Sequence, residues 1–271
     1  MPMLIACHHG LVADPVGNFW RQGLGNVPDA IWLRVELETL VLADNDLTSI
    51  SSRIGELRAL RVLDLGHNQL GELPATIGEL AVLEFLYVHD NRLAALPGFA
   101  KLARLRYLNA SDNALVALPD SIGALTALRE LRAGGNQLVA LPDSMGGLAA
   151  LRELYLDGNQ LDALPDSIGA LGELRELHLR ANQLVAVPDS IGELARLRLL
   201  SLRDNQLARL PVSIGQLAAL RVLDLRGNPL VALPESIAEL TLDKLDLRWI
   251  PTLAAPTWLA RLEDRGCSVY M

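Results

Sequence analysis

The sequence predicts an α/β solenoid: a curved horseshoe of stacked coils, with a parallel β-sheet on the concave side and short helical or 3₁₀ segments on the convex side. Three observations predict it. The segment LRELYLDGNQLDALPDSIGAL at Leu151–Leu171 recurs at Leu128 and Leu174, and more loosely along most of the chain. Asparagines recur at a nearly constant spacing, and leucines alternate as they do in a strand. A segment repeated at a fixed period indicates a stack of like coils.

Nine asparagines set the period. Successive members are 23 residues apart, apart from one gap of 22. They are Asn45, Asn68, Asn91, Asn113, Asn136, Asn159, Asn182, Asn205 and Asn228. The short gap contains PGFAKL at Pro97–Leu102, which is one residue shorter than PATIGEL at Pro74–Leu80. We therefore expect Phe99 to fill the space that Ile77 fills one repeat earlier.

The first half of each repeat predicts a strand followed by a turn. Leu154 and Leu156 alternate with Glu153, Tyr155 and Asp157, so two leucines face inward and three side chains face outward. The asparagine follows where the chain must leave the strand. Its amide offers an acceptor and two donors, which can satisfy backbone groups that the turn leaves unpaired.

The second half of each repeat predicts a short helical or 3₁₀ segment. Pro165 fixes φ and prevents a second strand. Asp166 and Ser167 are suitable residues for the start of a helical turn. Ile168 and Leu171 are three residues apart and face the core.

The pattern divides the chain into three parts. Residues 1–22 match no repeat, and we interpret them as an N-terminal cap whose Phe19 and Trp20 cover the first coil. Residues 23–250 form the array of about nine to ten repeats. Residues 251–271 form a C-terminal cap.

The C-terminal cap is predicted from the end of the asparagine pattern, where Ile250 takes the asparagine position. Pro256–Arg265 has the pattern of an amphipathic helix that stops at a glycine, and the last five residues can add a strand. We expect Trp249 and Trp258 to seal this end of the core.

Composition excludes several classes of function. The net charge of -8 disfavours binding to nucleic acid or to acidic membranes. No apolar run is long enough to span a membrane, and the Leu4–Cys7 box lacks the flanking features of a signal peptide. His8 and His9 have no further ligands beside them, so we expect no metal and no cofactor. Cys267 lies far from Cys7, so they should not pair, which favours a cytoplasmic location.

The motif LxxLxLxxNxLxxLPxxIGxL at Leu151–Leu171 resembles the leucine-rich repeat family. It is most similar to the 23-residue class found in intracellular scaffold proteins of Ras signalling, in related plant proteins and in many bacterial proteins. The tail DLRWIP…PTWLARLEDRGCSVY looks like an ending common in bacterial members. The resemblance covers residues 23–271 and implies a curved horseshoe that binds another protein, and we expect a monomer. The family motif carries no catalytic residue, so we expect no enzyme.

Outward strand positions form three rows across the concave sheet, with neighbours about 4.8 Å apart. Two features of these rows point to a protein partner: several of the few aromatic side chains lie there, and four arginines follow one another in the third row. An exposed aromatic cluster is typical of a binding hot spot. The candidate partner-binding residues are Phe85, Tyr87, His89, Tyr107, Arg132, Tyr155, Asp157, His178, Arg180, Arg203, Arg226 and Arg248.

Each feature has a second interpretation. The aromatic side chains could be ordinary cross-strand pairs. The four arginines could bind an acidic partner, or they could be neutralised by Asp204, Asp224 and Asp246. The sequence leaves these alternatives open.

Two other functions are considered beside protein binding. His178 and Ser201 are neighbours in the middle row, which allows a hydrolase, but a flat parallel sheet offers no obvious oxyanion hole. The chain also has only two lysines, Lys101 and Lys244, against 22 arginines. This scarcity would suit a bacterial effector that is secreted into a host cell by a leaderless route and binds host proteins.

Overall fold

The computed structural model describes residues 14–271, and predictions for Cys7, His8 and His9 lie outside this part of the chain. The described residues form one sheet of twelve parallel strands in chain order. Each strand pairs in register with its neighbours one repeat away, as in Leu131 with Leu154. The predicted α/β solenoid is therefore confirmed.

Every strand is three residues long. The strands are β1 Val16–Asn18, β2 Thr39–Val41, β3 Val62–Asp64, β4 Phe85–Tyr87, β5 Tyr107–Asn109, β6 Glu130–Arg132, β7 Glu153–Tyr155, β8 Glu176–His178, β9 Leu199–Ser201, β10 Val222–Asp224, β11 Lys244–Asp246 and β12 Ser268–Tyr270.

The opposite side of most coils carries a five-residue 3₁₀ segment rather than an α-helix. These segments are Asp29–Leu33, Ser52–Glu56, Ala75–Glu79, Asp120–Ala124, Asp143–Gly147, Asp166–Ala170, Asp189–Glu193, Val212–Gln216 and Glu235–Glu239.

Proline and glycine shape each 3₁₀ segment. The residue before it is usually a proline in extended conformation, as at Pro165, where φ is -69°. Adjacent segments approach so closely that a Cβ at Gly169 would lie 2.6 Å from the carbonyl oxygen of Ser190. Glycine at this position therefore permits the close stacking of coils.

The shortened coil has no 3₁₀ segment between β4 and β5. Phe99 is fully buried there and replaces the equally buried Ile77 of the preceding coil, as the sequence predicts. Its backbone N–H donates to the hydroxyl of Ser121 in the next coil, at 2.9 Å. A larger side chain and one cross-coil hydrogen bond thus compensate for the missing residue.

The repeated asparagine joins each coil to the preceding one. The Asn159 amide nitrogen donates to the carbonyl oxygens of Ala133 at 3.0 Å and Leu156 at 2.9 Å. Its amide oxygen accepts from the backbone N–H of Leu138 at 3.0 Å. Both Ala133 and Leu138 belong to the coil before, so the side chain satisfies backbone groups of two coils.

The N-terminal end holds a strand that the sequence analysis did not predict. β1 pairs with β2, and Gly17 in β1 and Phe19 directly after it stand where later coils have leucines. A Cβ at Gly17 would lie 3.1 Å from the Phe19 ring, so one small and one large residue share the space of two leucines. We propose that β1 is part of the N-terminal cap.

The two aromatic side chains predicted to cover this end behave differently. Phe19 packs against the core, as predicted. Trp20 remains 57% exposed, so the prediction that it covers the first coil is wrong. The reason is strand alternation, because consecutive side chains point to opposite faces.

The C-terminal end contains helix α1, Leu259–Glu263, and strand β12. Gly266 has a φ of +89° and ends the helix, as predicted. Trp258 is buried against the core, but Trp249 is 61% exposed and seals nothing. Trp249 has a φ of +63° and occupies the left-handed turn position, which directs its side chain away from the core.

We expect Asn159→Ala to lower the free energy of unfolding by about 2–4 kcal/mol without changing the fold. The substitution leaves buried backbone groups of two coils without partners, and each such group costs about 1–3 kcal/mol. Urea unfolding measures the change, and circular dichroism checks the fold. Gln160→Ala is the control, because Gln160 is an exposed neighbour in the same turn. Equal stability of the two variants would contradict the role of the asparagine.

Candidate protein-binding surface

Strand register places the predicted site residues on one face of the sheet. The strands show a repeated pattern in which the central leucine is buried and its two neighbours are half-exposed, as in β7. Pairs such as Tyr155 with His178 are aligned across strands. The rows inferred from the sequence are therefore present, and contacts within them decide which side chains act together.

Four of the predicted residues form an aromatic cluster on β4, β5 and the turn after β4. The Tyr87 and Tyr107 rings are 4.9 Å apart, and Phe85 lies 6.5 Å from Tyr107. His89 lies 6.4 Å from Tyr87 and also contacts His67, which was not predicted, with ring centres 4.7 Å apart. We call Phe85, Tyr87, His89 and Tyr107 the aromatic patch.

The aromatic patch is partly withdrawn from water. Burial raises the pKa of the Tyr87 and Tyr107 hydroxyls above their usual value. Burial, and then the neighbouring His67, lowers the pKa of His89, which favours its neutral form. The patch therefore presents neutral, partly desolvated rings.

A second aromatic group lies two strands away and is separate from the patch. Tyr155 is stacked between the Arg132 guanidinium and the His178 ring, each centred 4.4 Å from the tyrosine ring. Its hydroxyl donates to Glu153 at 2.9 Å, and Arg132 donates to Glu130 at 2.5 Å. Burial and the Glu153 carboxylate together raise the pKa of Tyr155 well above its usual range. These contacts hold the three stacked side chains in place.

The four predicted arginines, Arg180, Arg203, Arg226 and Arg248, lie just after their strands, and we call them the exit arginines. Each has a carboxylate partner. Arg180 and Arg203 reach Asp204 at 3.5 and 3.0 Å. Arg226 pairs with Asp224 at 2.5 Å. The geometry therefore matches the internally paired alternative rather than an open acidic-partner site.

Asp246 is the centre of this charge network. Its side chain is fully buried and lies 2.8 Å from Arg248, 3.2 Å from Lys244 and 3.5 Å from Arg226. Burial by itself would raise the pKa of this carboxyl, but hydrogen bonds from Arg248 and Lys244 outweigh that effect and hold the pKa at about 2.

Trp249 covers three of the four exit arginines, and sequence reasoning missed this role. Its ring lies 5.1 Å from the Arg203 guanidinium and 5.7 Å from those of Arg226 and Arg248. Cation–π contacts of this kind stabilise by about 0.5–1 kcal/mol at exposed sites. The sequence position of Trp249 could have revealed this role. Trp249 occupies the turn position with positive φ where earlier repeats have Asp204 or Gly227.

Asp157 forms a hydrogen bond with the backbone of the next coil. Its carboxylate accepts from the N–H of Arg180 on the adjacent coil at 2.6 Å. This contact leaves Asp157 a weaker candidate for partner binding than the aromatic residues.

The possible hydrolytic pair is poorly arranged for catalysis. Ser201 is the in-register neighbour of His178. However, the His178 ring is stacked on Tyr155, and its Nε2 lies 3.2 Å from the Glu176 carboxylate. The imidazole is thus held by Tyr155 and Glu176 rather than by the serine, whereas a nucleophilic triad requires the histidine to bond the hydroxyl.

Between residues 14 and 271, there is no group of three or more acidic, histidine or cysteine side chains suited to a metal ion. In the same range, no helix is both long and apolar enough to cross a membrane.

The electrostatic network around Asp246 predicts a pH-dependent effect of Asp246→Asn. The pKa is depressed in the folded state, so the stabilisation is present above the unfolded value near 4 and is lost as the pH falls towards 2. We expect the variant to be less stable by about 2 kcal/mol at pH 7 and the difference to shrink below pH 4. Urea unfolding at several pH values tests this, with the exposed Asp162→Asn as control. A pH-independent difference would contradict the assignment.

Comparison with known proteins agrees with this geometry. A leucine-rich repeat region model matches residues 94–188, and a second leucine rich repeat model matches residues 35–93 and 172–230. A search of curated proteins returned no match.

Solved structures give the same result. A leucine-rich repeat protein of Leptospira interrogans is 28% identical, with a TM-score of 0.79 over 95% of this chain and 78% of that one. A TDR receptor is 27% identical, with a TM-score of 0.77 over 89% of this chain and 44% of that one. The plant peptide hormone receptor RGFR1 in complex with RGF2 is 27% identical, with a TM-score of 0.55 over 87% and 47%.

This chain spans less than half of each of those two receptors. The repeat period, the asparagine contacts, the parallel sheet and the matching models agree. The chain belongs to the leucine-rich repeat family.

Proposed function

We propose that this protein is a non-catalytic interaction module that binds a segment of another protein on its concave face. The observation that carries the proposal is the aromatic patch, which places half-exposed rings side by side on a rigid sheet. Aromatic side chains at fixed positions contribute contact area at low entropic cost, and they dominate the binding energy of many interfaces.

The stacked Arg132–Tyr155–His178 group extends the proposed surface along the sheet. Its side chains are held by Glu130, Glu153 and each other, so little rotamer freedom remains to be lost on binding. The exit arginines play a smaller part in the proposal, since their charges are already matched by aspartates.

A structural neighbour supports a peptide as partner. The plant peptide hormone receptor RGFR1, which this chain resembles, has a solved structure in complex with RGF2. An extended peptide could cross the parallel strands and contact the aromatic patch and Tyr155 together. The shared fold supports this mode of binding. Because the two chains are only 27% identical, the partner of this protein would contact different side chains.

The non-catalytic part of the proposal rests on the family and on the arrangement of His178. The matching models describe repeats rather than a catalytic domain. Labelling of Ser201 by a fluorophosphonate probe would contradict it.

We expect Tyr87→Ala combined with Tyr155→Ala to abolish capture of specific partners without unfolding the protein. Both rings are half-exposed, so their removal deletes contact area while leaving the core intact. Affinity capture from a lysate of the source organism, compared by quantitative mass spectrometry, measures the effect. Val139→Ala with Val185→Ala is the control, because these exposed side chains lie outside the strands. If both double variants retain the same proteins, the concave-face proposal fails.

The scarcity of lysine supports a second candidate, a bacterial effector that binds host proteins, because few lysines would be available for modification in a host. In this case the concave face would bind a host protein rather than a cytoplasmic partner. A translocation reporter fused to residues 1–22 is expected to reach the host cytosol. Retention of the reporter in the bacterium would count against the effector function and would favour a cytoplasmic location.

A further inference from the structure

A second set of arginines lies where each chain segment enters its strand. Six successive coils, from Arg106 to Arg221, carry an arginine immediately before the strand, and we call the last five of these residues the entry arginines. They are Arg129, Arg152, Arg175, Arg198 and Arg221. They flank the concave face and are distinct from the exit arginines.

Backbone hydrogen bonds keep the entry arginines aligned. The N–H of Arg152 donates to the carbonyl of Arg129 at 2.8 Å, and the same bond of 2.8 Å recurs at each step up to Arg221. The side chains therefore start from positions about 4.8 Å apart, and the row extends over about 19 Å. Three of the five are exposed, and Arg152 and Arg175 are half-exposed.

The entry arginines differ from the exit arginines in having no acidic partner. Within residues 14–271, none of the five forms an ion pair, although Glu130, Glu153 and Glu176 follow three of them directly in sequence. Those glutamates are on the concave face, where they bond Arg132, Tyr155 and His178. Strand alternation thus separates each arginine from its adjacent carboxylate.

Like charges stacked at strand spacing repel one another, so an unpaired row lowers stability unless a bound anion offsets it. A shallow depression of about 270 Å³ lies between Arg175, Arg196 and Arg198, with Ala195 and Ala219 also lining it. Small residues here leave room for a ligand group between the guanidinium groups.

The ends of the row limit the size of a ligand. On one side, Arg106 occupies the same position one coil before Arg129 but is paired with the buried Glu84 at 2.9 Å, which also pairs with Arg61 at 2.6 Å. On the other side, the next coil has Asp243 where its predecessors have arginine. A row of about 19 Å matches some six residues of extended peptide, at about 3.3 Å per residue.

We propose that the entry arginines bind a short acidic segment of a partner protein. Guanidinium groups pair bidentately with carboxylates. An extended run of Asp or Glu presents every second carboxylate to the row, about 6.6 Å apart, so about three carboxylates would face the five arginines. A long polyanion such as a nucleic acid fits less well, because the row is short and closed by acidic residues in a protein of net charge -8. This site is separate from the aromatic patch and does not depend on the function proposed for it.

Fluorescence anisotropy with a labelled hexaglutamate peptide tests the proposal, with hexaglutamine as the uncharged probe. We expect saturable binding of hexaglutamate at low salt and none of hexaglutamine. Arg175→Ala with Arg198→Ala should weaken binding about tenfold, because exposed ion pairs are individually modest but act together. Arg175→Lys with Arg198→Lys should retain part of the affinity.

The matched control is Arg92→Ala with Arg209→Ala, which removes the same charge from exposed positions outside the row. It should change the affinity less than twofold. Tyr87→Ala with Tyr155→Ala should leave hexaglutamate binding unchanged, which separates this site from the concave face. Circular dichroism verifies that each variant is folded.

Three results would overturn the proposal. The first is the absence of saturable hexaglutamate binding to the unmodified protein. The second is an equal loss of affinity in the two arginine-to-alanine double variants, which would indicate a general charge effect. The third is tighter binding of a short oligothymidylate through the same arginines, which would assign the row to nucleic acid.

Discussion

The hydrogen bonds of the repeated asparagines are the interaction on which the rest of the structure depends. A three-residue strand followed by a turn leaves backbone groups that neither the sheet nor water can satisfy in the interior. Asn159 satisfies such groups in its own coil and in the one before. Because the same bonds recur in each coil, they fix the register of the sheet. That register in turn places the outward side chains in rows.

Side chains at the same position of successive coils lie close together, so like charges in a row repel one another. The two arginine rows differ in whether acidic side chains offset this repulsion. The exit arginines are paired with aspartates, and three of the four lie beneath Trp249, so their charge is balanced within the fold. The buried Asp246 shows how far this neutralisation goes, with a pKa held at about 2. The entry arginines receive no such compensation. Equal residue types at equal spacing therefore have different electrostatic surroundings.

Much of the fold could be predicted because each coil repeats one local pattern. Leucines at strand period, a proline and a glycine at fixed offsets, and an asparagine after each strand define the coil many times over. The burial of Phe99 was predicted correctly for the same reason. The repeat shows which core position the shortened coil has to fill, and Phe99 is the residue nearest to it in sequence. Strand β1 at the N-terminal end was not predicted, because its Gly17 and the following Phe19 share a space normally filled by two leucines. No spacing rule reveals such an exchange.

The candidate surface was only partly predictable. The rows follow from the repeat, so the twelve candidate residues could be named, but which of them touch depended on side-chain directions. Tyr155 turned out to be stacked between Arg132 and His178, and Trp249 to lie over the exit arginines. The sequence by itself determined the coil, its period and the outward positions, because these are local and repeated. Only the tertiary structure decided which charges are paired, because pairing depends on distances between side chains of different coils.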